Sequence, residues 1–109
     1  MQNVDVKVAL LSELPFASMR AVVAGEFQIL LIRNSAGVVS ALEDRCSHAD
    51  VRLSEGILEG EAVECPAHGA KFDVHSGRAL CMPAIKAVKT FPVRTEADTV
   101  IVTVPDLGI

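Results

Sequence analysis

The sequence predicts an all-β fold, an antiparallel β sandwich or a small barrel, on two observations. Short apolar segments separated by turn residues recur at close spacing, a pattern typical of antiparallel β domains. No long amphipathic helix competes with them, although residues 12–19 are compatible with one helical turn. The chain has 109 residues, 50% of them hydrophobic and 22% charged, so we expect one domain, residues 1–109, with a compact core.

Each predicted strand follows from its local pattern. Residues 4–8 alternate strictly between apolar and polar side chains, as on a half-buried strand. Gly25 separates two further strands, and the sequence NSAG at residues 34–37 is typical of a hairpin turn. A last hairpin turns at residues 96–98. The predicted strands are 4–8, 20–23, 26–32, 38–42, 62–65, 85–95 and 99–104.

Charge and hydropathy exclude several classes of protein. The net charge is −4 and no basic stripe is present, so we expect no nucleic-acid partner. The longest apolar runs, residues 8–11 and 29–32, are far shorter than the ~20 residues of a membrane-spanning helix. The first residues lack the basic start and apolar centre of a signal peptide. These features predict a soluble, cytoplasmic protein without a membrane partner. We also expect it to be a monomer.

The strand pattern lapses at about residues 44–56 and 65–72, here called the first and the second loop. The first loop carries Cys46 and His48, and the second carries Cys65 and His68. Mixed pairs of this kind differ from the usual zinc-finger spacing and suit a two-iron cluster in which two imidazoles replace two thiolates. A mononuclear Cys2His2 zinc site remains an alternative. The odd cysteine count, with no export signal, argues against a disulfide framework.

With these motifs the chain resembles the Rieske family, and within it the small ferredoxins that serve bacterial aromatic-ring dioxygenases. The resemblance implies a Rieske-like antiparallel β sandwich with a small cluster-binding subdomain made of the two loops. It also implies one [2Fe–2S] cluster, with Cys46 and Cys65 on the inner iron and His48 and His68 on the outer iron. The segments that carry the resemblance are 46–48, 53–56, 65–69, 72–73 and 76–77.

The function implied by this resemblance is that of an electron carrier and not of an enzyme. The electron donor would be a flavin reductase that uses NAD(P)H, and the acceptor would be a terminal oxygenase. A catalytic oxygenase subunit also needs a mononuclear iron held by two His and a carboxylate. The alternatives are a Rieske-like small subunit of an assimilatory nitrite reductase and a zinc-stabilised interaction module.

The chain departs from the high-potential Rieske proteins of respiratory complexes. Those proteins have an extra Cys in each loop and hydroxyl side chains where Ala70 and Phe72 stand here. Because hydrogen bonds to the sulfurs help to set the potential, we expect a value near the bottom of the Rieske range, about −150 mV. The segment 82–84 resembles the proline-containing third loop of the family.

Three further expectations concern residues outside the four predicted ligands. We expect Cys81 to be a small buried residue and His75 to be a solvated surface residue. We also expect a solvated acidic face. Its predicted members are Asp44, Asp50, Glu55, Glu59, Glu61 and Glu64.

Overall fold

The computed structural model describes residues 2–47, 51–67, 69–81 and 86–106. These residues form strands, turns and two short 3₁₀ turns, Leu11–Glu13 and Leu53–Glu55, which confirms the all-β prediction. None of the described segments is a helix long and apolar enough to cross a membrane. The strands are β1 (Asn3–Leu10), β2 (Ser18–Ala24), β3 (Phe27–Arg33), β4 (Val39–Glu43), β5 (Ile57–Glu59), β6 (Ala62–Glu64), β7 (Lys71–Asp73), β8 (Thr90–Phe91), β9 (Val93–Glu96) and β10 (Thr99–Pro105).

The strands pair into three antiparallel sheets. Their orders are β1-β10-β9, β2-β3-β4-β8 and β5-β6-β7. The four-stranded sheet is called the central sheet, and β5-β6-β7 is called the small sheet. Successive strands of the small sheet are joined at residues 60–61 on one end and by the second loop on the other.

The central sheet is covered on both faces, because side chains of β3 alternate between two cores. Ile29 and Leu31 belong to a sandwich core shared with the sheet β1-β10-β9. Leu30 and Ile32 belong to a second core under the small sheet, here called the cysteine-side core. Burial on both faces explains why residues 29–32 form a continuous apolar run. The cysteine-side core comprises Leu30, Ile32, Leu42, Cys46, Leu53, Val63, Cys65, Ala70, Phe72, Val74 and Val88.

The predicted long strand 85–95 is wrong. Residue 85 lies outside the described residues, residues 86–89 are not in a strand, and Pro92 separates β8 from β9. Because proline has no N–H to donate to a ladder, pairing breaks there and the chain passes between sheets. Strand β8 pairs with β4 of the central sheet, whereas β9 pairs with β10.

Strands β5 and β7 fall in or beside the regions predicted as loops. Each has only three residues, which is too short for alternation to be recognised. The one-turn prediction is met by Leu11–Glu13, one residue earlier than expected. The 34–37 hairpin is confirmed, since the Asn34 side chain accepts hydrogen bonds from the backbone N–H groups of Ala36 and Val38 at 3.0 and 2.8 Å.

Candidate metal centre

Cys46 and Cys65 meet in the cysteine-side core, although 18 positions of the chain separate them. Cys46 lies in the first loop after β4, and Cys65 directly follows β6. Their exposed fractions are 2% and 0%, and both are free thiols. Both side chains belong to the same cluster of packed core residues, and Cys46 contributes to the raised pKa of Cys65. The structure therefore brings together two of the four predicted ligands.

Backbone hydrogen bonds fix each cysteine in its loop. The N–H of Cys46 donates to the carbonyl of Val51 at 2.9 Å, and that of Cys65 donates to the carbonyl of Ala70 at 2.6 Å. In the second loop the N–H of Ala67 points to the Cys65 sulfur at 3.3 Å. Gly69 has a φ of +72°, the left-handed region that a side chain disfavours. The tight turn from Cys65 to Ala70 thus depends on a glycine at this position.

The cysteine pair has the chemistry of a metal site. Burial, with the neighbouring Cys46 side chain as the next contribution, raises the pKa of the Cys65 thiol from 9.0 to about 11. An isolated thiolate is unfavourable in such surroundings, but coordination to a metal cation deprotonates a thiol outright. Two adjacent buried thiols without a disulfide therefore fit the inner iron of a [2Fe–2S] cluster.

The two predicted histidine ligands, His48 and His68, lie outside the described residues, as do Asp50 and segment 82–84. Within the described ranges no group of three or more His, Cys, Asp or Glu side chains could hold a metal ion. The prediction of the histidine ligands thus stays a prediction. Ala70 and Phe72 are fully buried in the same core as the cysteines. The second loop therefore has apolar side chains at the two positions where the high-potential Rieske proteins have hydroxyl groups.

Two expectations for other residues need correction. Cys81 is exposed and not buried; its sulfur lies 3.7 Å from the carbonyl oxygen of Gly69, at the border of the second loop. Asp44 is not part of a solvated face, because only 2% of it is exposed. Its carboxylate accepts hydrogen bonds from the backbone N–H and hydroxyl of Ser54, both at 2.7 Å.

Among the described members of the predicted acidic face, Glu55, Glu59 and Glu61 are exposed and Glu64 is half-buried, but several have partners. Glu59 and Glu64 form ion pairs with Lys71 at 3.0 and 3.8 Å. His75 is exposed, as predicted, and bridges two elements: Nδ1 lies 3.1 Å from the Ser40 hydroxyl and Nε2 contacts the Glu61 carboxylate. It follows β7, at the end of the small sheet opposite the second loop.

The comparisons with known proteins agree with this geometry. A family model described as the Rieske [2Fe-2S] domain matches residues 4–92. The ferredoxin component of a naphthalene 1,2-dioxygenase system from Pseudomonas aeruginosa is 44% identical over 66 residues, which is 61% of this chain and 64% of that protein. The 3-phenylpropionate/cinnamic acid dioxygenase ferredoxin subunit of Escherichia coli K12 is 40% identical over 79 residues, or 72% and 74% of the two chains.

A solved structure supports the same assignment. A chain from the complex of reduced oxygenase and oxidised ferredoxin in carbazole 1,9a-dioxygenase superimposes with a TM-score of 0.84 at 30% identity, covering 90% of this chain and 91% of that one. These matches confirm the resemblance to Rieske-type ferredoxins that the two loops indicate. The chain therefore belongs to the family of Rieske [2Fe–2S] domains, and its cofactor is one cluster of that type.

Proposed function

We propose that this protein is a one-electron carrier between an NAD(P)H-dependent flavin reductase and a terminal ring-hydroxylating dioxygenase. When bound, a Rieske cluster supplies a redox couple that the protein tunes through its ligands and hydrogen bonds. The observation that carries the proposal is the pair of buried, adjacent thiols on two loops of a Rieske domain. The relatives that are named ferredoxin components support a carrier and not a catalytic subunit.

The proposed ligand set is Cys46, His48, Cys65 and His68. Each histidine follows a cysteine by two or three positions. A chain spans at most about 3.6 Å per residue, so the Cα atoms of each pair lie within roughly 7 to 11 Å. This spacing is compatible with both imidazoles reaching a cluster that the two cysteines hold.

The protein's own groups prepare this site in two ways. The Ala67 N–H donates to the Cys65 sulfur at 3.3 Å, which stabilises negative charge on that atom. Leu53 and Phe72, both fully buried in the same core, keep water from the cysteine side. A low dielectric on one side strengthens the electrostatic effect of each remaining hydrogen bond.

The electron donor, the acceptor, the cytoplasmic location and the monomeric state are parts of the same proposal. A reductase that uses NAD(P)H works in the compartment where that cofactor is recycled, which supports the cytoplasm. The similarity to a ferredoxin solved with its oxygenase supports an oxygenase as the acceptor.

Anaerobic stopped-flow absorbance tests this function directly. We expect catalytic amounts of a flavin reductase with NAD(P)H to bleach the visible bands of the chain by one electron. Mixing the reduced chain with a terminal dioxygenase of the naphthalene or phenylpropionate type should restore the bands. A cluster that dithionite reduces, but that exchanges electrons with neither protein, would contradict the carrier function.

A further inference from the structure

A second pair of residues outside the predicted ligands is built into the first loop. Asp44 is 2% exposed, and its two carboxylate oxygens accept separate hydrogen bonds from Ser54. The backbone N–H of Ser54 donates to Oδ1 and its hydroxyl donates to Oδ2, both at 2.7 Å. Burial of a carboxylate is costly unless such donors compensate it, and hydrogen bonds to an ionised acceptor are about twice as strong as neutral ones.

The pair closes the loop around Cys46. Asp44 is anchored to the central sheet, since its N–H donates to the carbonyl of Gln28 at 2.9 Å. Ser54 lies ten positions later, beside the fully buried Leu53, which packs in the same core as Cys46. Within the closed loop the N–H of Cys46 donates to the Val51 carbonyl at 2.9 Å. The position of Cys46 is therefore set between two fixed ends.

The first loop also contacts β6, the strand that directly precedes the other cysteine. A Cβ added to Gly56 would lie 1.8 Å from the carbonyl oxygen of Glu64, a separation that no side chain tolerates. Gly56 is two residues after Ser54, and Glu64 directly precedes Cys65. The Ser54 turn thus packs backbone against backbone on β6, and its placement determines how the two loops face each other.

We propose that Asp44 and Ser54 form a clamp that positions Cys46 relative to Cys65 for holding the cluster. This inference rests on the proposed function of the two cysteines as ligands. The two residues are positioning residues, because they act through the loop.

The chain offers a matched control on the small sheet. Asp73 Oδ2 accepts hydrogen bonds from the N–H and the hydroxyl of Ser76, both at 2.8 Å. This Asp–Ser pair has the same chemistry as the clamp, but it closes a turn that follows β7, at the end of the small sheet away from the second loop. Ser54→Ala and Ser76→Ala each remove a hydroxyl that donates to an aspartate carboxylate, one in the first loop and one away from it. The Ser76 hydroxyl is exposed and also accepts from the N–H of Arg78 at 3.2 Å, so its removal is no milder in the number of hydrogen bonds lost.

The experiment compares the two variants with the wild-type holoprotein. We expect Ser54→Ala to lose the cluster to a chelator about tenfold faster, the equivalent of one hydrogen bond to a charged group, and to shift the EPR g-values. Ser76→Ala should keep the wild-type rate and g-values. Asp44→Asn, which retains an acceptor oxygen, should lie closer to wild type than Asp44→Ala. Equal rates and identical g-values in Ser54→Ala and Ser76→Ala would overturn the clamp.

Amide hydrogen exchange in the cluster-free chain separates this inference from the proposed function. A clamp that positions Cys46 predicts faster exchange of the Cys46 N–H in Ser54→Ala than in Ser76→Ala. Unchanged exchange overturns the clamp even where the cysteines are ligands. The opposite result is also distinguishable. If the wild-type chain takes up no cluster, but the Cys46 N–H exchanges faster in Ser54→Ala than in Ser76→Ala, the ligand set is overturned and the clamp stands.

Discussion

The sandwich core and the cysteine-side core lie on opposite faces of the central sheet. They differ in their residue types and in the length of the strands that cover them. The sandwich core is covered by β1 and β10, strands of eight and seven residues, and its buried members are all apolar. The cysteine-side core is covered by three strands of three residues each and contains two thiols. Long ladders and aliphatic packing hold the first, whereas we expect the second to depend on metal ligation.

The largest predicted effect concerns the histidines. His48→Ala and His68→Ala should each abolish the visible bands and the rhombic EPR signal, because the outer iron loses half its protein ligands. Thermal unfolding should also occur at lower temperature than in the wild-type holoprotein, since ligation is coupled to folding. His75→Ala is the matched control and should keep the spectrum. A normal cluster after either ligand change removes that residue from the site.

Two neighbouring leucines on β3 test whether the cores act separately. Leu30 and Leu31 are both fully buried, the former in the cysteine-side core and the latter in the sandwich core. Each Leu→Ala change should lower the free energy of unfolding by about 2–5 kcal/mol. Only Leu30→Ala should also speed cluster loss to a chelator. Similar rates of cluster loss in both variants would show that the two cores are not distinct in this respect.

The stability of the cluster-free chain should depend on alkaline pH through Cys65. Its pKa is raised from 9.0 to about 11, so the folded state favours the neutral thiol. The resulting stabilisation is fully present below about pH 9 and is lost as the pH rises towards 11. Denaturant unfolding at a series of alkaline pH values should show this loss in the wild type and a flatter profile in Cys65→Ser. Identical profiles would contradict the buried thiol.

The potential of the holoprotein is expected near the bottom of the Rieske range, about −150 mV. A hydroxyl donating to a cluster sulfur stabilises the more negative reduced state, so Ala70→Ser and Phe72→Tyr should each raise the potential. Phe91→Tyr adds the same hydroxyl to the sandwich core and should leave the potential unchanged. Protein-film voltammetry measures all four proteins, and a wild-type value above zero would contradict the expectation.

The smallest effect is expected for Cys81. Its exposed thiol should react rapidly with Ellman's reagent in the holoprotein, at one equivalent per chain. Cys81→Ser should abolish this fast reaction and leave the visible and EPR spectra unchanged. A bleached Cys81→Ser protein would assign this residue a place in the site.

The parts of the fold that the sequence predicts well are those with a strong local pattern. Alternation identifies β1, and the Asn34 turn identifies the β3–β4 hairpin. Strands β5 and β7 are not predicted because each has only three residues, and each forms only by pairing with β6. The sheet switch at Pro92 is likewise decided by tertiary pairing, although a proline inside a predicted strand is a usable warning.

In the candidate site, too, local sequence pattern predicts some features, whereas others depend on tertiary contacts. Cys–His spacing is sufficient to single out Cys46 and Cys65, which do meet in the structure. Nothing in the spacing of Asp44 and Ser54 distinguishes the clamp from two ordinary polar residues, because their contact depends on how the first loop closes. The average behaviour of free cysteines predicts a buried Cys81, but its position at the border of the second loop leaves it exposed.

We propose that two cysteines and two histidines, one of each from either loop, hold the cluster. Pulsed EPR of the reduced protein, labelled with ¹⁵N at histidine, counts the imidazole nitrogens bound to iron. We expect two inequivalent bound nitrogens in the wild type and the same two in His75→Gln. Fewer than two bound histidine nitrogens in the wild type, or the loss of one in His75→Gln, would contradict it.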